Sequence, residues 1–343
     1  MKKFLLFAAA VVALSASAQL KIEKVYTVDF ANLGLTTNEV RQGVGANGKF
    51  YIQDKSQQKV VVVGQNGLLD QTFESGTNCG IALDEAGNLV VSLAAFPNAW
   101  VCDGETAALK VINPTTGESA VLAIPEDAAI DGRADMIGFA KGNLLEEGEI
   151  DLVGATSTGV SRVVVADGEV SADDSYVALA EGVSMTSSTV INMVGDLILF
   201  VTRNAAPAFL TLGGDNYNVQ TIALPNKGAC NGAFPFQLGD KYYVAYPTLP
   251  NYLDGFAVAE VGAETAEFEQ VVTEKQANGV QCNWLNVEVV SDSEANLYQY
   301  QPGGHCTMRK VTAPTTGVND LSVKAEKVYK TIENGQVVIV KGA

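Results

Sequence analysis

The chain has 343 residues, of which 39 are Asp or Glu and 22 are Lys or Arg, so its formal net charge at neutral pH is −17. A surface this acidic repels nucleic acid and anionic lipid, which excludes both as expected partners. It suits solubility outside the cell, or a surface that gathers cations such as calcium. Val, Ile, Thr, Tyr and Phe are common, and no window beyond the first eighteen residues has helical periodicity. The composition predicts an all-β chain.

Residues 1–18 have the organisation of a signal peptide. Lys2 and Lys3 precede an apolar run from Phe4 to Leu14, and the small residues at 16–18 form a cleavage site. Cleavage leaves 20 basic against 39 acidic residues, a net charge of −19. No apolar run reaches the roughly 18 residues that cross a bilayer. We therefore expect an exported chain without a membrane span, either secreted or at the cell surface, or else periplasmic.

Polar turns between two apolar runs recur through residues 19–313 about every 49 residues. They lie at Asn47-Gly48, Ala86-Gly87-Asn88, Glu147-Gly148, Gly195-Asp196, Gly239-Asp240 and Ser293-Glu294-Ala295-Asn296. Each unit carries a second hairpin, and four strands in about 40 to 50 residues are typical of a β-propeller blade. Six copies predict a six-bladed propeller, with a pair of stacked β-sandwiches as the alternative.

The two ends of the repeat array predict how the ring closes. The sixth unit has no clear fourth strand before Pro314, whereas Val25–Phe30 forms an extra strand ahead of the first unit. The N-terminal strand would complete the last blade and remove exposed sheet edges. The third unit, around residues 144–150, is the least regular copy.

Residues 314–343 differ in composition and form a linker followed by a hairpin. Val328–Ile332 and Gln336–Val340 flank Asn334-Gly335, which is a type I′ turn signal. Together with the cleavage site, this tail resembles exported Bacteroidetes proteins and the sorting tails of type IX secretion. The six units are similar to NHL and SMP-30-like propellers in their strand pattern. The latter resemblance implies a divalent cation held in the central channel by Glu, Asn and Asp.

Four of the five cysteines fall into two similarly spaced pairs. Cys79 and Cys102 lie in the second unit, and Cys282 and Cys306 lie in the sixth. Each pair places one cysteine at the start of the innermost strand and one in the loop before the third strand, at the same end of a blade. Exported proteins keep disulfides, and each bridge would contribute about 3 kcal/mol. Cys230 has no partner and is expected to be a buried small hydrophobe or a reactive thiol.

The candidate ligand-binding residues lie at that same end of the propeller. They are Asn78, Asn231 and Asn283 beside strand-start cysteines, with Trp100, Tyr252, Trp284 and His305. Aromatic side chains on loops suit sugar rings or peptide side chains, although either Trp could instead pack between blades. His305 is the sole histidine, either a loop residue at the blade surface or, in an enzyme, a general base.

We assign no binding or catalytic role to two other patterns. Residues 43–48 match G-x-G-x-x-G, but they lead into a strand rather than the helix that phosphate binding requires. The carboxylate pairs, such as Asp84-Glu85, lie in turns that we expect on the solvated rim.

These patterns favour a non-catalytic recognition module that binds a glycan or protein at the propeller face, as a monomer. We assign no catalytic residue and no metal ligand, and calcium is the one cofactor considered. The alternative is a lactonase- or lyase-like propeller enzyme with a divalent cation in the channel. A third hypothesis is a structural envelope protein whose channel is filled by side chains.

Overall fold

A computed structural model describes most of the strands and the turns at one end of the blades. The described residues are 19–35, 42–76, 80–93, 108–124, 134–155, 157–171, 175–179, 185–186, 188–202, 205–213, 216–225, 232–248, 255–270, 284–301, 304–314, 328–333 and 336–341. Residues 19–313 form one compact unit, and residues 314–343 are grouped apart from it. No helix among the described residues is long and apolar enough to cross a membrane.

The predicted six-bladed β-propeller is confirmed, with four antiparallel strands in each blade. The first strand is β1 (Lys21–Asp29), and a short 3-10 helix, Phe30–Leu33, follows it. Blades 1 and 2 contain β2 (Gly43–Ala46), β3 (Lys49–Asp54), β4 (Lys59–Val63) and β5 (Leu69–Glu74), then β6 (Ile81–Leu83), β7 (Leu89–Leu93), β8 (Ala108–Ile112) and β9 (Ser119–Ala123). Blade 3 contains β10 (Lys141–Asn143), β11 (Glu147–Leu152), β12 (Gly159–Ala166), the short accessory strand β13 (Glu169–Val170) and β14 (Ser175–Leu179).

The second half of the ring repeats the same order of strands. Blade 4 contains β15 (Val190–Val194), β16 (Leu197–Val201), β17 (Ala208–Gly213) and β18 (Asn216–Thr221). Blade 5 contains β19 (Phe234–Leu238), β20 (Lys241–Pro247), β21 (Phe256–Glu260) and β22 (Phe268–Gln270). Blade 6 contains β23 (Trp284–Ser291), β24 (Glu294–Gln301) and β25 (His305–Thr312). A separate hairpin, within residues 314–343, consists of β26 (Val328–Glu333) and β27 (Gln336–Lys341).

The N-terminal strand closes the ring as predicted. β1 pairs antiparallel with β25 as the fourth and outermost strand of blade 6, from Lys21 opposite Thr312 to Asp29 opposite His305. It is longer than expected, because it begins at Lys21 rather than Val25. The first and last segments of the propeller are therefore held in one sheet.

Alternate residues of each middle strand pack against the two neighbouring blades. In β3, Phe50 and Ile52 join the core shared with blade 6, while Tyr51 joins the core shared with blade 2. Phe50 meets Tyr298 of blade 6 edge to face, with ring centroids 5.4 Å apart. Burial on both faces explains why these strands are apolar without strict alternation.

Two glycines at the junction of blades 6 and 1 have a packing reason. A Cβ atom at Gly43 would overlap the ring of Tyr300, and one at Gly45 would overlap the ring of Tyr298. The glycine-rich stretch allows the tyrosines of β24 to lie flat on β2. The expectation that it binds no phosphate fits this role, because Gly43 begins a strand.

Blade 3 is the least regular blade. Its innermost strand β10 has three residues, and the turn that follows lies at 144–146 rather than at the expected Glu147-Gly148. Its outermost strand β14 pairs in parallel with β18 of blade 4, through Ala178 opposite Asn216. This pairing joins two blades at their outer strands and protects both edges.

Candidate functional site

The innermost segments of all six blades enclose a small central cavity. Its lining consists of Gln42, Gly43 and Val44 from blade 1, Ala82 from blade 2, Ile137 and Phe139 from blade 3, Asn192 from blade 4, Ala233 and Phe234 from blade 5, and Trp284, Leu285 and Asn286 from blade 6. The space open to the centre of a water molecule is about 10 Å³, which is room for about one water. Side chains therefore close the channel at this depth.

A buried carboxamide joins blade 6 to blade 1 beside this cavity. The side chain of Asn286 donates from Nδ2 to the carbonyl oxygen of Gly45 at 2.7 Å, and its Oδ1 accepts from the Gly45 N–H at 2.9 Å. Asn286 is 5% exposed, so both peptide groups of Gly45 would otherwise be buried without a partner. The Asn286 side chain thus satisfies the Gly45 backbone as a neighbouring strand would.

Gln42 does the same between blades 1, 2 and 3. Its Nε2 donates to the carbonyl oxygen of Ile137 at 2.9 Å. Its Oε1 accepts from the N–H of Ile81 at 2.9 Å and from that of Ile137 at 3.4 Å. One side chain thus bonds to the backbone of two other blades.

Asn192 of blade 4 completes this set, which we call the axial amides: Gln42, Asn192 and Asn286. Its Oδ1 accepts from the Phe139 N–H at 3.2 Å, and its Nδ2 donates to the Ala233 carbonyl oxygen at 3.1 Å. The axial amides were not predicted. The signal available in the sequence was a single amide within or beside an apolar innermost strand.

The chemistry of this lining does not fit a divalent cation. Calcium and magnesium need several oxygen ligands, usually carboxylates. Among the lining residues that the structure describes, no side chain is a carboxylate, and each axial amide oxygen already accepts a backbone N–H. The asparagines considered for a channel cation, Asn78, Asn231 and Asn283, lie outside the described residues, so calcium binding there stays a prediction.

Among the predicted ligand residues that the structure describes, Trp284 lines the cavity. It is 6% exposed and belongs to the core that blades 6 and 1 share with other blades, so it packs between blades as the alternative interpretation expected. Its indole Nε1 is buried and has no hydrogen-bond partner. Its role in ligand binding stays a prediction.

His305 and Cys306 begin β25 rather than lying in a loop. His305 is partly buried and is opposite both Gln301 and Asp29 in the sheet. Cys306 is fully buried as a free cysteine, and burial raises the pKa of its thiol. The structure therefore does not show the predicted Cys282–Cys306 disulfide, and Cys282 itself lies outside the described residues.

The remaining predicted positions also lie outside the described residues, and their placement is not tested. They are Cys79, Trp100, Cys102, Cys230 and Tyr252. The described strands nearest to them in sequence are β6, β7, β19 and β20.

At the other end of the blades, Asp84 is buried rather than on the solvated rim that we expected. It is 2% exposed, and Oδ1 accepts from the Asn88 N–H at 2.8 Å. Oδ2 accepts from Asn88 Nδ2 at 2.8 Å and from the Leu144 N–H of blade 3 at 2.9 Å. Burial raises the pKa of Asp84, although these hydrogen bonds act in the opposite direction. The carboxyl group is a link between blades 2 and 3.

Glu85, the next residue, links three blades. Its Oε2 accepts from the Gly142 N–H of blade 3 at 2.9 Å, and its Oε1 accepts from the Gly195 N–H of blade 4 at 2.6 Å. The carboxylates of this turn are therefore occupied by backbone groups. We assign this turn of blade 2 a structural role.

A charged cluster ties blades 3 and 4 together. Arg162 donates from Nε to Asp151 Oδ1 at 2.8 Å and from Nη2 to Oδ2 at 2.9 Å. The Tyr217 hydroxyl donates to the same carboxylate at 2.5 Å. Burial, followed by the nearby Asp151 charge, raises the pKa of the Tyr217 hydroxyl. All three groups are buried and paired, which is typical of a structural ion pair.

The junction of blades 5 and 6 contains buried amides of a different kind. Arg309 donates from Nη1 to Gln299 Oε1 at 2.6 Å and from Nη2 to Gln270 Oε1 at 3.2 Å, with its guanidinium 4.9 Å from the Phe256 ring centroid. Gln299 Nε2 has no partner, and neither polar atom of Gln301 has one. Gln299 and Gln301 are both 0% exposed.

No family model and no curated protein matches the chain. Among solved structures, it is similar to a DUF4623 family protein from Bacteroides eggerthii, with 10% identity and a TM-score of 0.53 over 87% of this chain and 84% of that one. A protein of unknown function from Bacteroides thetaiotaomicron gives 9% identity and 0.53 over 85% and 76%. A streptogramin B lyase gives 13% identity over 88% and 100%, but its TM-score of 0.46 supports no functional argument. The chain therefore shares the β-propeller fold with proteins that include two from Bacteroides.

Proposed function

We propose that the protein is an exported, non-catalytic recognition module that binds a glycan or protein at one face of the propeller. The observation that carries this proposal is the closed channel. A cavity with room for about one water does not admit a sugar ring or a peptide. A ligand would therefore bind on a face, where loops on a rigid scaffold usually carry recognition.

The choice of face depends on where polar groups are already used. At one end, the carboxylates of Asp84 and Glu85 are already hydrogen-bonded to neighbouring blades. The opposite end begins β23 at Trp284 and β25 at His305, and we assign the ligand to it. Trp100 and Tyr252 are proposed to supply aromatic contacts there, and Asn78, Asn231 and Asn283 polar ones.

Export, a monomeric state and a sorting role for the C-terminal hairpin are part of the same proposal. They rest on the signal-like residues 1–18, the acidic surface and the Asn334-Gly335 hairpin between β26 and β27. Like charges on two copies oppose association, which favours a monomer.

The test is binding of the full mature chain to glycan and peptide arrays, with Trp100→Ala compared against Val121→Ser. Val121 lies on the outermost strand β9 and is 61% exposed, so its replacement is a matched surface control. We expect Trp100→Ala to weaken the selected ligand at least about tenfold, as loss of a central aromatic anchor does, and Val121→Ser to leave it unchanged. Equal effects of the two variants would contradict the proposed face.

The enzyme alternative is tested by calcium. Thermal stabilisation by calcium that disappears in Asn231→Ala and Asn283→Ala would favour a channel cation and contradict a purely recognition role. Under our proposal, calcium leaves the melting temperature of the native chain and both variants unchanged.

A further inference from the structure

Buried carboxamides have one consistent partner along the propeller axis, which is the peptide group. Asn286 bonds to the N–H and C=O of Gly45, and Gln42 bonds to the N–H and C=O of Ile137. Asn192 takes one backbone N–H and one backbone C=O as well. A side-chain amide has the same donor and acceptor as a peptide group, so the two satisfy each other reciprocally.

Gln301 is an amide of the same kind without that partner. It is as buried as the axial amides, at 0% exposure, yet both Nε2 and Oε1 are unpaired. Nearly all buried polar groups in folded proteins are hydrogen-bonded, and an unpaired one destabilises the fold. Gln301 thus presents one unused donor group and one unused acceptor.

Gln299 adds a second unused donor on the same face of β24. Residues two apart in a strand point to the same side, which here is the side of Leu297 and the core shared with blade 5. Arg309 donates to Gln299 Oε1, which fixes the orientation of this amide and leaves its Nε2 as the free end.

Gln301 lies at the end of blade 6 that belongs to the proposed ligand face, and a ligand would reach it only by displacing the groups that now cover it. Gln301 is the last residue of β24 and is opposite His305, the first residue of β25. Gly304 lies beside the Gln301 side chain, where a Cβ atom would come within 3.3 Å of its Cγ. Gly304 therefore packs closely against Gln301 and places no side chain of its own over it.

We propose that Gln301, with Gln299 Nε2 beside it, binds the N–H and C=O of one residue of an extended polypeptide ligand between blades 5 and 6. This inference rests on the proposed function and deepens it, because it selects a protein ligand over a glycan. The ligand's N–H donates to Gln301 Oε1, and its C=O accepts from Gln301 Nε2, in the arrangement that Asn286 has with Gly45. Gln299 Nε2 donates to a neighbouring carbonyl oxygen of the same ligand.

The experiment begins with selection of a displayed random dodecamer library on the full mature chain. Affinities of the enriched peptides are then measured for the native chain and for Gln301→Met, which keeps the shape of the side chain but has no amide. Gln301→Glu replaces the NH₂ donor by a carboxyl oxygen and adds an ionisable group. Gln220→Met is the matched control, because Gln220 is exposed on β18 of another blade. We expect both Gln301 variants to weaken binding at least about tenfold and the control to have no effect.

A backbone N-methyl scan of the peptide identifies the peptide group involved. We expect one position at which N-methylation weakens binding to the native chain about tenfold but has no further effect on Gln301→Met, since the two changes remove the same hydrogen bond. Additive losses at every position would contradict the proposal.

Other outcomes separate this inference from the proposed function. Peptides that bind the native chain and Gln301→Met equally would overturn the inference. Glycan binding that depends on Trp100, without any peptide that depends on Gln301, would also overturn it while leaving the recognition role intact. Absence of both glycan and peptide binding would overturn the two proposals together.

Discussion

Blade 6 carries two buried carboxamides that differ in how they are satisfied. Asn286 on β23 is 5% exposed and bonds to both peptide groups of Gly45, while Gln301 on β24 is 0% exposed and bonds to neither donor nor acceptor. Leaving a buried polar group unpaired costs about 1–3 kcal/mol. Burial alone therefore does not identify a structural amide. The Asn286 amide joins blade 6 to blade 1, and the Gln301 amide is retained at a cost in stability, as groups at binding sites often are.

The largest loss of stability is expected when the buried ion pair between Asp151 and Arg162 is broken. Asp151→Ala would leave the Arg162 guanidinium buried beside Tyr217 without its bidentate partner. Breaking a buried ion pair on one side costs about 3–5 kcal/mol, and urea denaturation measures the loss. Glu118→Ala on the exposed surface is the control, with a change below about 0.5 kcal/mol. A loss for Asp151→Ala no greater than that of the control would show that the cluster of Asp151, Arg162 and Tyr217 does not stabilise the junction of blades 3 and 4.

The second-largest loss of stability is expected when the Asn286 amide is removed. Asn286→Leu keeps the approximate volume but leaves the N–H and C=O of Gly45 buried and unpaired. We expect a loss of about 2–4 kcal/mol in the free energy of unfolding, from one to two unsatisfied groups. Chemical denaturation provides the measurement, and an unchanged midpoint would mean that the axial amides do not close the ring.

A smaller effect is expected from crowding the same junction. Gly45→Ala would place a methyl group against the Tyr298 ring, and overpacking of this kind costs about 1–3 kcal/mol. Gly64→Ala is the matched control, because the nearest atom there is the flexible Asn66 side chain at 3.3 Å. Comparable melting temperatures for the two variants would contradict the packing of β24 on β2.

The smallest effect is a pH dependence at the opposite end of the propeller. Burial raises the pKa of Asp84 in the folded state, so the folded chain binds this proton more tightly than the unfolded chain. The contribution of Asp84 is fully present below its unfolded pKa of about 3.9 and is lost as the pH rises through the folded-state value. The stability of the native chain relative to Asp84→Asn should therefore decline from about pH 3.5 to 7. Urea denaturation across that range checks it, and a relative stability that rises with pH would contradict the assigned burial.

The architecture could be predicted from sequence because turn chemistry is local. Asn47-Gly48, Gly195-Asp196 and Gly239-Asp240 occupy turns as predicted, and their spacing set the number of blades. Blade 3 departed from the pattern because its innermost strand is short and its outer strand pairs with blade 4. The turn predicted at Ser293–Asn296 lies earlier, at residues 292–293, since Glu294 already begins β24.

The polar groups of the interior could not be predicted in the same way. Asp84 resembles any turn carboxylate in sequence, and its burial depends on blade 3 packing against that turn. Asn286 and Gln301 are single amides in similar strands, and only the register between blades decides which of them meets a peptide group. The predicted loop residues belong to segments outside the described part of the chain, so their roles stay predictions.

In our interpretation, the Asn286 amide is hydrogen-bonded within the fold, whereas the Gln301 amide has no partner until a polypeptide ligand binds. One series of urea denaturation curves on the native chain, Asn286→Leu and Gln301→Met, without ligand, tests it most directly. The account predicts opposite signs, with Asn286→Leu less stable than the native chain and Gln301→Met more stable by about 1 kcal/mol, because an apolar group replaces a buried unpaired amide. A loss of stability in both variants would show that Gln301 already has its partner within the fold, and would contradict the account.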